Sequence, residues 1–350
     1  MATLTPGLFT YAEWAVRMDP DGKTSMLVDL LSQNNGILED MLAVECQNGV
    51  SFTFKQVTSL PTPSRRIFNQ GVARTMATAA PQVVTAIQYA DWAVIDDGLA
   101  RLNGQISEVR AQEDALHMEG ISQQVASDLF YANRATDPTA FTGFANIYNT
   151  VTTATSQIAL NVIDCGGTGS TNCSMWLITW GPRHLHTIFP KGMPSGLVHR
   201  DMCPDGDPLP ATDSASNEFL AWRTWMEWNI GVAVHDWRFG ARACNIDYTL
   251  FGGGSAPNLI ATLAALCMKL PIMPAGVGPV QTSDAPDKLV MGRSCIYVNR
   301  TVYLALDLQA QNKTNVLLKM DEWDGHPILT YRGIPIRIVD ALTTTESRVT

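Results

Sequence analysis

The chain has 350 residues, is 46% hydrophobic and carries a formal charge of −9, with seven cysteines and six histidines. That length and apolar content can bury a sizeable core and predict two subdomains rather than one. The acidic balance with scattered basic residues argues against a nucleic-acid reader, whose affinity comes from a basic face that neutralises phosphates. The longest apolar stretch, "NLIATLAALCMKLP" (258–271), is too short to span a bilayer and ends at a proline. No positively charged leader with an apolar run is visible, so no signal peptide is expected. The odd number of cysteines, without a C-x-x-C spacing, points to reduced thiols in a cytoplasm.

In chain order, the first residues read as an arm, with a short helix predicted in "SMLVDLLSQNNGILEDML" that breaks at Asn34-Asn35-Gly36. "VSFTFKQV" (50–57) alternates with Val50, Phe52 and Phe54 on one face, and a second alternating run follows at 81–94. Between them lies "SLPTPSRRIFNQGVARTM", with two prolines, a glycine and the pair Arg65-Arg66. The pattern predicts a long hairpin with a mobile, basic tip. From 103 to 133 there is no proline and only two glycines, Gly104 near its start and Gly120, in a stretch rich in Glu, Gln, Ala and Leu, which predicts a long helix. Its apolar residues form two groups: Ile106, Val109 and Leu116, then Met118, Ile121, Val125 and Leu129. A helix curving round one core and a helix packing on two subdomains in turn both fit. From 141 to 300 short strands dominate, among them the buried-type "SMWLITW" (174–180) and "LAWRTWMEWNI" (220–230), whose period-two pattern fits better than a helical one. "SAPNLIATLAALCMKLP" predicts a helix opened by Ser255, with Pro257 in its first turn, and stopped by Pro271. "YRGIPIRIVD" (331–340) alternates like a strand, and Pro335 assigns it to an edge or a strand start.

The chemistry-bearing candidates are weak. His184 and His186 would share a strand face, but no third ligand is placed by spacing, so two polar residues at an interface is the better reading. The glycine-rich "GGTGSTNCS" (166–174) and "FGGGSAPN" (251–258) match neither phosphate-binding pattern and read as turns. No nucleophile elbow is present. Glu113-Asp114 and Asp96-Asp97 read as solvated surface. The tryptophans at 222, 225, 228 and 237 read as core or subunit contact rather than a ligand cage. No catalytic, metal or cofactor site is expected, and the chain is not expected to be an enzyme.

Several segments, in order, resemble the major capsid proteins of tailed bacteriophages: "LPTPSRRIFNQG", "WGPRHLHTIFPKGMPSGLVHRD" (180–201), "EFLAWRTWMEWNIGVAVHDWRFGARACNID" (218–247), "YVNRTVYLALDLQ" (297–309) and "YRGIPIRIVDAL". The resemblance covers roughly 45–345 and rests on the order of the segments rather than on any one of them. It implies an α+β, Hong Kong 97-like capsid fold. The parts would be an N-terminal arm over 1–45, an extended β-hairpin loop over 46–80, and a peripheral domain over 81–140 that includes a spine helix at 103–133. An axial domain over 141–300 would follow, then a late helix and closing strands over 301–350 returning to the peripheral domain. Subunit-interface candidates are Lys55, Arg65, Arg66, Phe68 and Asn69. Lys55 lies in the loop of a family that in some members crosslinks Lys to Asn, but no partner asparagine or catalytic glutamate is identifiable. The implied partners are further copies of the chain in pentamers and hexamers, a separate scaffolding protein and a portal, with a decoration protein left open. DNA would be enclosed without sequence-specific binding, no membrane is involved, and the site of action is the virion capsid, assembled in the bacterial host cytoplasm. The alternative is another phage structural protein, a tail-tube or fibre subunit, which would lack the long spine helix.

Overall fold

The computed structural model describes residues 32–102, 106–154, 156–203, 206–213, 216–251, 257–271, 280–281, 289–290, 293–311, 318–323 and 326–350. Most of the expected arm, the glycines of 252–254 and the helix start at Ser255 therefore lie outside the described residues. The chain divides into two units, one of Gln88–Val125 with Pro194–Ile230, the other of Asn34–Ile87, Ala126–Met193 and Gly231–Thr350. Segment 194–230, expected with the rest of 141–300, thus groups with 88–125, and 301–350, expected to return to the domain of 81–140, groups with the central sheet instead. Among the described residues, no helix is long and apolar enough to cross a membrane.

The first unit is a small sheet beside a helix. The long strand Glu218–Val234 contributes its first part, pairing antiparallel with Leu197–Asp201 and Leu209–Thr212, and it neighbours Ile87–Asp96. Ile95, Leu99, Val109, Cys203 and Trp222 close its core. The carboxylate pairs are not solvated surface here. Asp96 caps the short helix Asp97–Ala100 through the Gly98 amide, at 2.7 Å. Asp97 accepts a hydrogen bond from the Trp222 indole, and buried Asp114 accepts one from Thr224 and contacts His199 at 3.0 Å. Buried polar groups need such partners, and these carboxylates are spent on structure.

The second unit is built on the strand Asn172–Trp180, in which all nine residues are buried. Gly240–Asp247 and Arg293–Val298 flank it, both antiparallel. Burial on both faces explains why the strand reads as an apolar run rather than an alternation. On one face Cys173, Met175 and Leu177 pack beneath two helices, Leu259–Lys269 through Leu259, Leu263 and Leu266, and Arg300–Gln311 through Val302, Ala305 and Leu306. On the other, Trp176 and Trp180 meet an aromatic layer of Phe130, Phe144 and Tyr148, with ring centroids 5.7–6.3 Å apart. The first of these helices starts at Asn258, not Ser255. The Asn258 side chain caps the Ala261 amide at 3.2 Å, and Gln309 holds Pro257 and Leu259 from the neighbouring helix. Asn299 likewise opens the late helix by accepting from the Thr301 amide.

The long helix spans Ile106–Tyr131, belonging to the first unit as far as Val125 and to the second from Ala126. The boundary does not fall between its two apolar groups: Val109 is buried in the first unit's core, Ile121 and Val125 are buried within the same unit, and only Leu129, with Phe130, is buried in the second. The closing strand Ile334–Ile338 decides between the two expectations for Pro335, in favour of a strand start. It lies between His326–Tyr331 and Arg293–Val298, so it is not an edge. Pro335 is tolerated because it is the strand's second residue, and the parallel pairing to Arg293–Val298 begins only at Ile336.

Gly143 fixes the turn after the long helix by close approach. A Cβ there would sit 2.7 Å from the carbonyl oxygens of both Asp128 and Phe130. Gly143→Ala is expected to destabilise the chain by about 1–3 kcal/mol through forced backbone shifts. A lower urea midpoint at unchanged slope would show it.

Candidate assembly surface

Residues Ser51–Ser59 and Thr78–Thr85 form an antiparallel two-stranded ribbon, with Phe52 opposite Val84 and Lys55 opposite Pro81. At its base alternation works as the sequence suggests. Phe52 and Phe54 are buried with Cys46, Ile188 and Ala233. Val50, expected on that face, is exposed. Phe52 lies edge-on to His186, with centroids 5.1 Å apart, and Phe54 stacks on His235 at 5.0 Å. The Gln56 side chain donates to the carbonyls of Val234 and His235. The base is therefore anchored by two aromatic rings and a side-chain amide.

Beyond the base nothing is buried. Every residue from Val57 to Ala79 is exposed. Phe68 is 91% exposed, and Leu60, Ile67 and Met76 are each more than three-quarters exposed. Arg65, Arg66 and Arg74 are the charged residues of 60–77, without any acidic residue beside them. A turn closes at the Ile67 carbonyl and Gln70 amide, 3.2 Å apart, with Asn69 at φ 67°, a conformation asparagine adopts more readily than most residues. All five interface candidates thus lie on this one ribbon, four of them at its tip and Lys55 on an exposed strand position. Monomeric soluble proteins seldom leave so many large apolar side chains together in solvent.

His184 and His186 are not interface residues on this chain. Both are buried, His184 with its ring 3.6 Å from that of Phe239. Among the described residues no cluster of three or more His, Cys, Asp or Glu is placed to hold a metal ion. Burial pushes the pKa of both down, and with His235 nearby that of His186 falls to about 4. Against an ordinary value of about 6.5, the unfolded chain binds more protons than the folded one between those two pH values. Stability present above about pH 6.5 is therefore lost as pH falls toward 4, by roughly 3 kcal/mol for His186. His186→Leu is expected to flatten the urea-unfolding stability profile across that window, and identical profiles would refute the assignment.

Sequence reasoning missed the most connected polar site. Arg242 and Glu346, both nearly inaccessible, pair at 2.9 Å behind the central strand. Arg242 also donates to Ser174 and the Tyr148 carbonyl, and its guanidinium lies 4.9 Å from the Trp176 ring. Glu346 accepts from Tyr131 at 2.6 Å and from Ser174. Burial and the Glu346 carboxylate push the Tyr131 phenol well above its usual range. A second cluster centres on buried Asp40, 2.9 Å from Arg293 and 3.1 Å from Arg337, with the Tyr297 hydroxyl donating to it. Both carboxylates are buried and hold distant parts of the chain to the sheet, while Arg293 reaches out toward solvent.

The family model for major capsid protein GP7 matches residues 19–350. The chain belongs to that family. A chain of the bacteriophage Epsilon15 structure is 28% identical, with each chain covered in full and a TM-score of 0.77. The bacteriophage JBD30 capsid is 10% identical over 91% of this chain and 96% of its own, with a TM-score of 0.44. No curated protein sequence matches the chain. The protein is a tailed-phage major capsid protein that forms the shell, with the expected α+β, Hong Kong 97-like fold. This is a structural family rather than an enzyme family, and its place is the virion capsid, as one of many subunits.

Proposed function

We propose that copies of this chain associate as pentamers and hexamers that tile a closed shell round packaged double-stranded DNA, each gripping its neighbour with the exposed ribbon. One observation carries the reading: the tip at 60–77 presents apolar side chains and three arginines with no partner surface of its own among the described residues. The ribbon acts as the extended loop, and Arg65, Arg66, Phe68, Asn69 and Lys55 are its contact residues. The residues before Asn34 act as the arm, shorter than the expected 1–45, because Ile37 and Asp40 are buried and Ala43–Glu45 pairs with Thr187–Phe189 in the sheet. The unit of the long helix and the strands of 194–230 acts as the peripheral domain, and the unit of the central sheet as the axial domain. Rotational symmetry limits growth, and repetition makes modest contacts add up. A separate scaffolding protein and a portal direct closure in the host cytoplasm. The acidic balance keeps free subunits soluble and the packed DNA unbound. Sedimentation of the expressed protein with its scaffold, followed by negative-stain imaging, is expected to show rings or shells. A chain that stays monomeric across concentration would overturn the reading.

A further inference from the structure

A cleft of about 330 Å³ opens beside the ribbon's base in the second unit. Its walls are mostly apolar, among them Phe54, Phe141, Val234 and Trp237, with the polar side chains of Gln82 and Thr142 between them. A single cation, Arg134, stands among the lining residues. Arg134 donates to Thr85 and, among the described residues, has no carboxylate partner. The volume is at the low end for a binding site, about right for one or two large side chains rather than an extended ligand. Its chemistry asks for an aromatic body with a carboxylate next to it.

The chain itself carries such a segment. Outside the described residues the aromatic side chains are Phe9, Tyr11 and Trp14, and they fall within six positions that also hold Glu13. We propose that the cleft receives residues 9–14 of a second copy, with an aromatic side chain against Phe141 and Trp237 and the Glu13 carboxylate on Arg134. This rests on the assembly reading and adds to it the place where the arm holds. A segment seated in its own subunit would contribute nothing to association. Seated in the next one, it links each copy to its neighbour by a second contact, and two linked contacts bind far more tightly than either alone. The guanidinium is suited to the task, since its fork takes a carboxylate in two parallel hydrogen bonds.

The test is a charge exchange in the full-length chain, read by the subunit concentration at half-assembly. Glu13→Arg and Arg134→Glu are each expected to raise that concentration by about three- to tenfold, the worth of one partly desolvated ion pair. The two changes together should restore it to within about twofold of wild type. Glu13→Arg alone keeps the proposal falsifiable should Arg134→Glu destabilise the free subunit. A benzophenone amino acid replacing Trp14 supplies the second measurement, and light is expected to give crosslinks between two chains at Phe141, Val234 or Trp237. Crosslinks within one chain, crosslinks to other surfaces, or no rescue in the double variant would each overturn the cleft assignment while shells still form. Failure of the wild-type chain to form any shell would instead bring down the assembly reading, and the cleft with it.

Discussion

Replacing Arg242 by Met is expected to destabilise the free subunit by about 3–5 kcal/mol, the usual cost of stranding one member of a buried ion pair. Glu346 would remain behind the central strand with no cation, holding only the hydroxyls of Tyr131 and Ser174. Two carbonyls that Arg242 serves, those of Ala145 and Tyr148, would lose their donor as well. A smaller effect than the pair's burial suggests is argued against by the number of groups that depend on one guanidinium. The double variant Arg242→Met, Glu346→Leu removes both charges and is expected to recover part of the loss, the stranded charge, but not the part due to the carbonyls and hydroxyls left without partners. Urea unfolding of the wild type and the two variants decides it. A loss below about 1 kcal/mol for Arg242→Met would mean that the site is solvated in solution, as exposed pairs are.

How much of this was legible depended on whether the signal was local. The first ribbon strand, the long helix and the run at 174–180 announce themselves by period or by apolar continuity and are observed close to where they were expected. The run at 81–94 is instead divided between the ribbon strand Thr78–Thr85 and a separate strand, Ile87–Asp96, in another sheet. The two apolar groups on the long helix left its role open, because a sequence shows which face is apolar but not what covers it. The helix at Leu259–Lys269 was found but its start was misjudged. Ser255 and Asn258 are both competent caps, and the choice was made by Gln309, fifty residues away in sequence. Glu113-Asp114 and the histidines at 184 and 186 were read as polar and hence exposed or at an interface, and tertiary packing buries all four. The Arg242–Glu346 and Asp40 clusters left no signal, since their members lie 104 and more than 250 positions apart. Pro335 gave half the answer. A proline near a strand's start is allowed inside a sheet when the ladder on its far side begins one residue later.

At the ribbon tip the expected result concerns assembly rather than folding. The Arg65→Glu, Arg66→Glu double variant should leave the circular dichroism and melting of the free subunit unchanged, because neither side chain is buried in its own chain. At low salt it should raise the subunit concentration at half-assembly by roughly tenfold or more. A single exposed ion pair contributes only about 0–1 kcal/mol, so loss of one arginine would matter little. Reversal does more than loss, since it sets repulsion against a neighbour whose formal charge is −9 overall. The same penalty recurs at every copy of the contact, and a shell multiplies it. Salt separates this account from its rivals. Screening shortens the reach of exposed charges from about 10 Å at 0.1 M to about 3 Å at 1 M, so high salt should restore part of the lost assembly. An assembly defect that salt does not relieve would point to lost shape or apolar contact at Ile67 and Phe68 instead of charge. Destabilisation of the free subunit by several kcal/mol would mean that the tip folds back on its own chain, and the ribbon would then not be the element that reaches the neighbour.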